Sequence, residues 1–313
     1  MCENTYLPEG SLIGTKENSE YLSSVQGIER AIAQGRILEA VAVLCDGSMN
    51  LTVDLGCMFG CISKNECTFT GDGDGVKDIA IISRVGKPVC FKVLSLRRDE
   101  NGQPVAILSR RLAQIECMNN YVMSLIGGDI IPARITHLEH FGAFVDIGCG
   151  IVSLLSIDCI SVSRISHPKD RFYVGMSIKV VVKSVDYISG RVCVSHKELL
   201  GTWEENASKF SIGQTVMGVV RSVEEYGIFI ELAPNLAGLA EYKAGVAVGQ
   251  MAAVYIKNII PDRMKIKLVI IDSCKNESPG RKIDYYIEPT AEHIDYWKYS
   301  PSGTCKVIES RFV

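Results

Sequence analysis

Two short stretches carry side chains that could do chemistry. In His140–Gly148, HFGAFVDIG, Ala143, Val145 and Ile147 alternate onto one side of a strand, while Phe144 and Asp146 take the other. The apolar side claims the core, which leaves an aromatic ring on the wet face. About 85 residues later the pattern returns as Tyr226–Leu232, YGIFIEL, with Ile228, Ile230 and Leu232 inward and Phe229 and Glu231 outward. A ring held there offers a flat π-face for stacking. Phe141 and Tyr226 stand three residues before Phe144 and Phe229, so strict alternation puts the members of each pair on opposite faces. A local bulge at Gly142 would bring Phe141 outward; without it Phe141 packs in the core.

Other constellations are weaker. GDGDG at 71–75 is followed by no GK[ST] and lacks the twelve-residue calcium spacing, so it reads as a turn. Cys57, Cys61 and Cys67 lack the paired spacing and fourth ligand of a zinc site. His137, His140, His167 and His196 are spread over separate strands and loops and form no metal set. No GxSxG, HExxH or framed pair of carboxylates is present. The expectation is a protein without catalysis, metal or other cofactor. Twelve cysteines, such as Cys90, Cys149 and Cys193, occupy apolar strand positions with no CxxC pair, and read as reduced core thiols.

These candidate sites need a frame, and 313 residues exceed one ordinary domain. The chain shows no apolar run long enough to span a membrane and no signal-peptide layout at its start, so a cytoplasmic protein without membrane contact is expected. Net charge is −3, and residues 1–34 alone carry −3, while 35–112 and 127–198 each carry +1. Any polyanion-binding surface must therefore be local. Residues 1–16 read as a loose polar lead. Leu22, Val25, Ile28 and Ile32 then recur at helical spacing, with Asn18 or Ser19 as cap and Gly35 as stop, predicting one amphipathic helix within an N-terminal arm, 1–36.

From there the period becomes that of strands. Five short strands fill 37–112, the last two joined by DENGQP. Leu112, Ile115, Met118, Val122 and Leu125 predict a linker helix over 113–127. Five strands recur over 128–198 and again over 213–273, with a linker at 199–212 in which Trp203 is a candidate docking residue at a module junction. The tail, 274–313, contains SPG, the strand candidates IDYYI and HIDYWKYS, a turn at SPSG, and Lys306–Ile308, which together predict a hairpin. Repeats of this period imply a string of like modules. The fold class is therefore mainly β, with three tandem five-stranded barrels, an N-terminal helix and helical linkers.

Repeat two resembles the ribosomal protein S-one family of RNA-binding OB repeats, in its short bacterial three-repeat form. The resemblance rests on Gly128, HFGAFVDIGCG, SLLSI, HPKD, YVG and VDYISGRVCVSHKE, and extends more loosely over residues 36–272. It implies OB barrels that bind oligonucleotides across strands two and three. The family pattern places two aromatics on strand two, a histidine on strand three, an aspartate ending strand four and a base opening strand five. Here these positions hold Phe141, Phe144, Ser156, Asp186 and Arg191 in repeat two, with Ser156 in the histidine place. His137, His140 and Lys179 are candidate compensators. Repeat three offers Tyr226, Phe229 and Lys265, with Glu241 in the histidine place. Repeat one has Met49 and Thr52 for rings, and resembles the family's protein-docking modules. The implied partners are single-stranded RNA, messenger RNA foremost, and small-subunit ribosomal proteins through repeat one. Asp186 also suits a turn anchor. The competing reading, favoured by the near-neutral charge and Glu241, is a protein-interaction adaptor or accessory RNA-metabolism factor with little RNA affinity.

Overall fold

The structure, a computed structural model, describes residues 5–70, 75–99, 102–275 and 283–312. Gly71–Asp74, residues 100–101 of the DENGQP turn and the tail's SPG lie outside them. The first module comprises β1 (Ile37–Cys45), β2 (Leu51–Asp54), β3 (Phe59–Ile62), β4 (Pro88–Arg98) and β5 (Pro104–Ser109). The second comprises β6 (Ile130–Glu139), β7 (Gly142–Asp146), β8 (Val152–Ser156), β9 (Ser177–Asp186) and β10 (Arg191–Ser195). The third comprises β11 (Thr215–Glu224), β12 (Gly227–Ala233), β13 (Leu236–Ala240), β14 (Met251–Ile260) and β15 (Lys265–Cys274).

Each set closes into a five-stranded barrel in the order one, two, three, five, four, with strands three and five parallel and the remaining pairs antiparallel. Closure leaves no free sheet edge, so backbone donors and acceptors are consumed within each module. Alternation fills each interior as expected. Leu51, Val53 and Phe91 sit inside the first barrel, Ala143, Val145 and Leu155 inside the second, and Ile228, Ile230 and Leu268 inside the third.

One irregularity recurs. The pairing of strands one and two slips by a residue between Ala42 and Leu44, between Ile135 and His137, and between Val220 and Ser222. The extra residue is Val43, Thr136 or Arg221, a β-bulge at the same station of each barrel.

The single expected N-terminal helix is two. Among the described residues, α1 (Lys16–Leu22) and α2 (Val25–Gln34) break at Ser23–Ser24, Thr15 and Ser24 each cap the following helix with a side-chain oxygen, and Gly35 ends α2 in the left-handed conformation. A break suits this sequence because a Cβ on Gly27 would stand 2.4 Å from the Tyr21 carbonyl. Further helices are α3 (Asp78–Ile82), α4 (Arg110–Asn120) and α5 (Trp203–Ala207). The buried face of α4 is Arg110, Ala113, Gln114 and Cys117, so the anticipated Leu112, Ile115 and Met118 are half-buried on its flank, while Val122 and Leu125, at the end of the same stripe beyond the helix, are buried.

Residues 5–15 are no loose lead either. Glu9 is buried, and its carboxylate takes both Arg110 Nε at 2.6 Å and Nη2 at 3.0 Å, with Arg84 at 3.3 Å. The Glu9 backbone N–H donates to Asp146 Oδ2 at 2.7 Å, which ties the arm to barrel two. A second junction joins barrels two and three, where Glu231 accepts from Arg171 at 2.6 Å and from Arg221 at 2.7 Å. Trp203 is buried with Trp297 and Tyr299 against barrel three, and its backbone N–H donates to the Tyr299 carbonyl.

The tail pairs β16 (Tyr296–Lys298) with β17 (Glu309–Arg311). Of the anticipated strands, IDYYI is irregular and the second partner lies just beyond Lys306–Ile308; the tail packs Trp297 and Tyr299 on the third barrel and Phe312 beside Val181 and Leu199, and bonds barrel two through its backbone, Ile130 N–H to the Glu292 carbonyl and Ile294 N–H to that of Gly128.

The cysteines divide. Cys90 and Cys149 are buried, but Cys193 is exposed, since its strand position faces outward, away from Val192 and Val194.

Candidate nucleic-acid interface

The outward direction of Phe141 comes from the hairpin, not from a bulge at Gly142. Phe141 occupies the two-residue turn between β6 and β7, where strand parity does not apply, and is 56% exposed. Tyr226 occupies the same place between β11 and β12 and is 71% exposed. Phe144 and Phe229 lie half-buried on the outer faces of β7 and β12. The rings of Phe141 and Phe144 meet edge to face at 6.0 Å and 89°, and those of Tyr226 and Phe229 at 6.1 Å and 83°. Two barrels thus build one aromatic corner twice. The glycine after each turn residue allows it: a Cβ on Gly142 would lie 2.5 Å from the Leu155 carbonyl, and one on Gly227 2.5 Å from that of Ala240.

The recurrent bulge adds a third ring to barrel two. Continued alternation from Ile131, Ala133 and Ile135 would send His137 inward, but the extra residue Thr136 reverses the parity. His137 therefore faces outward opposite Phe144 and stacks on it at 6.3 Å and 29°, with Glu139 accepting at 2.7 Å. Sequence reasoning named His137 only as a compensator; the signal it needed was the bulge. Register places Ser222 at this station in barrel three and Leu44 in barrel one. Of the other compensators, His140 meets His167 edge to face beside the turn, whereas Lys179 is held on another side by the tail, donating to the Pro289 carbonyl.

Ser156 ends β8 directly opposite Gly142. Its hydroxyl bonds the Asp158 side chain and thereby lowers that carboxyl below its ordinary range. Extending the β12–β13 register by one step puts Glu241 opposite Gly227, the same station. Arg191 is exposed on β10, two residues before Cys193, which is in register with Leu154 and through it with Phe144. Arg191 thus shares the outer face but sits one row away from the rings. Across from it, Asp186 anchors its own turn by accepting from the backbone N–H groups of Ile188 and Ser189 and from the Ser189 hydroxyl, contacts that lower its pKa.

In barrel three Lys265 stands where Arg191 does, opposite Ile260. Sequence reasoning missed Lys267, which is exposed and in register with Leu239 and so with Phe229. It puts a cation in the ring row, where barrel two has Cys193. Acids crowd the same hairpin, with Glu224, Glu225 and Glu241 all exposed beside Tyr226. Barrel one has no corner of this kind: Thr52 and Met49 fall at the ring stations by register, and Met49 takes a φ of 62°.

Asp146 and Glu231 depart from the wet face expected of them. Both are buried, because other segments pack over that end of the strand. Burial, and next the Glu9 charge, raises Asp146 well above the ordinary carboxylate range. Desolvation pushes Glu9 upward too, but Arg110 outweighs it and holds Glu9 below its usual value.

A closed barrel of this strand order, with a half-buried ring on the outer face of strand two and an exposed one in the turn before it, belongs to the OB class of oligonucleotide-binding folds. The family model described as the S1 RNA binding domain matches residues 125–197, the span of the second barrel. Over 223 residues the chain is 30% identical to the small ribosomal subunit protein bS1 homolog of Bacillus subtilis, covering 68% of this chain and 56% of that protein. Over 244 residues it is 28% identical to the small ribosomal subunit protein bS1 of Staphylococcus aureus, covering 76% and 59%. The chain thus spans just over half the length of these curated relatives. A solved multidomain protein with nucleic acid binding domains from Streptococcus pneumoniae matches with 14% identity over 76% of this chain and 74% of its own, at a TM-score of 0.24.

Proposed function

We propose that this chain binds single-stranded RNA with little sequence preference, chiefly through barrel two and secondarily through barrel three. The observation that carries the reading is the aromatic corner, built with matching geometry in two barrels, the first inside the S1 RNA binding domain. Unstacked bases offer flat faces and a phosphate chain, so a sequence-tolerant binder needs exposed rings near cations. Barrel two supplies Phe141, Phe144 and His137 with Arg191 on the same face. Barrel three supplies Tyr226 and Phe229 with Lys265 and Lys267, weakened by its three acids. Asp186 and Ser156 shape the strand ends. Likeness to bS1 proteins supports a cytoplasmic role in translation at the small ribosomal subunit, with messenger RNA as the natural strand and binding rather than catalysis as the activity. Barrel one, without the ring corner, suits contact with ribosomal proteins. The competing adaptor reading rests on the acidic rim of barrel three and the net charge of −3.

The deciding experiment is binding of an unstructured oligouridylate by the full chain and by Phe144→Ala/Phe229→Ala. Each stacked base contributes about 1–3 kcal/mol, so the double variant should bind at least tenfold more weakly while its far-UV and near-UV circular dichroism stay native. Unchanged affinity in a folded variant refutes the stacking surface, and absence of wild-type binding at low salt leaves the adaptor.

A further inference from the structure

Between barrels one and two lies a cleft of about 410 Å³ whose wall includes Arg84, Lys87, Arg134, His137 and Asp146. What marks the cleft is its polar, charged wall, not its volume. The acids in it are already engaged. Glu9 is taken by Arg110 and Arg84, and the Asp146 oxygens accept the backbone N–H groups of Glu9, Gly148 and Gly150. Two cations remain. Arg134 leaves the outer face of β6, opposite Asp146 on one side and Ser177 on the other. Its guanidinium is half-buried against the arm at Gly10, where a Cβ would fall 2.3 Å from Nη1 and the backbone φ is +96°. Lys87 is exposed at the entry to β4. Neither side chain has a hydrogen-bond or ion-pair partner among the described residues. An unpaired guanidinium on the wall of a cleft, still open to water, is free to make charge-assisted hydrogen bonds to an anion that enters.

The cleft is continuous with the ring row, because His137 both lines it and stacks on Phe144. Arg134 stands three residues back along β6, roughly 10 Å from His137 at about 3.3 Å per residue. We propose that this cleft seats a backbone phosphate of the strand whose bases stack on barrel two, with Arg134 and Lys87 as its donors. The inference rests on the RNA-binding reading and adds to it a role for barrel one. That module lacks the ring corner but brings Lys87, so the strand crosses the junction held by charge instead of stacking.

The test is the salt dependence of dodeca-uridylate binding by the full chain, compared among wild type, Lys87→Gln, Arg134→Gln, the double variant, Arg134→Lys and Phe144→Ala. Each single-strand phosphate contact contributes about 0.7 to the slope of log affinity against log salt. The slope should shrink by about 0.7 for each glutamine and be kept by Arg134→Lys. Phe144→Ala should weaken binding with the slope intact. Lys87 is exposed, so Lys87→Gln reads out even if Arg134→Gln loosens the arm. A wild-type slope in the folded double variant overturns the seat while leaving the stacking surface in place. A wild-type chain that binds no RNA overturns both.

Discussion

Replacing Glu231 by Gln tests how the third barrel is held to the second. The carboxylate is 2% exposed and faces two guanidiniums that are themselves buried, Arg171 at 6% and Arg221 at 14%. Burial depresses the Arg171 pKa even beside Glu231, which marks a low-dielectric site. Removing one partner of a buried ion pair costs about 3–5 kcal/mol, because the other charge stays buried. Arg221 retains Asp170 at 3.4 Å, so the lower end, about 3 kcal/mol, is expected. Both tryptophans of the chain, Trp203 and Trp297, lie in the core cluster of barrel three, so intrinsic fluorescence during urea unfolding follows that module. With a urea m-value of about 1–3 kcal/mol/M, the midpoint should fall by about 1–3 M. Replacing Glu231, Arg171 and Arg221 together by methionine should recover most of the loss, since the three buried charges go together and Asp170, 21% exposed, keeps its hydrogen bonds from Ser166. A Glu231→Gln transition superimposed on that of the wild type would refute the argument.

Two further outcomes follow from buried groups. Burial, reinforced by the Arg171 charge and opposed by the hydrogen bond to the Ile160 carbonyl, lowers the His196 pKa from 6.5 to about 4. Below pH 6.5 the unfolded chain therefore takes up a proton that the folded barrel refuses, so stability falls with pH and levels off below about 4. Relative to His196→Gln, wild type should lose about 3 kcal/mol over that window in urea titrations, and parallel pH profiles would refute it. Gly142→Ala and Gly227→Ala each drive a Cβ against a backbone carbonyl, at a cost of about 1–3 kcal/mol in thermal or urea unfolding; an unchanged midpoint would show that the strands can part.

The barrels were legible because alternation is a local property: Ala143, Val145 and Ile147 need no distant partner to declare their side. The ring stations Met49 and Thr52 in barrel one, and Ser156 opposite Glu241 across repeats, also follow from register, which the hairpin sets locally. Parity failed where the backbone breaks it. Phe141 turns outward because it sits in a turn, and His137 because Thr136 bulges, and neither feature has a residue type that announces it. The buried face of α4 and the docked arm were illegible for another reason. Arg110 and Glu9 are 101 residues apart, and charged residues in a stretch of mixed polarity signal solvent unless their partner is known.

The acid two residues after the platform ring shows how far such context reaches. By register Asp54, Asp146 and Glu231 occupy one station of strand two. Asp54 is exposed and only caps its turn, accepting from the Gly56 N–H. Asp146 caps its turn in the same way through Gly148 and Gly150, and in addition receives the arm through Glu9. Glu231, one methylene longer, gives up the cap and reaches two arginines, one from the preceding barrel. In barrels two and three the junction anchor and the ring therefore share a strand, Phe144 with Asp146 and Phe229 with Glu231, about 7 Å apart at the rise of a β-strand. Of the two anchors, Glu231 is the one that bridges barrels two and three through Arg171, so the placement of the barrel-three ring corner relative to barrel two depends on that buried pair as well as on the chain between them.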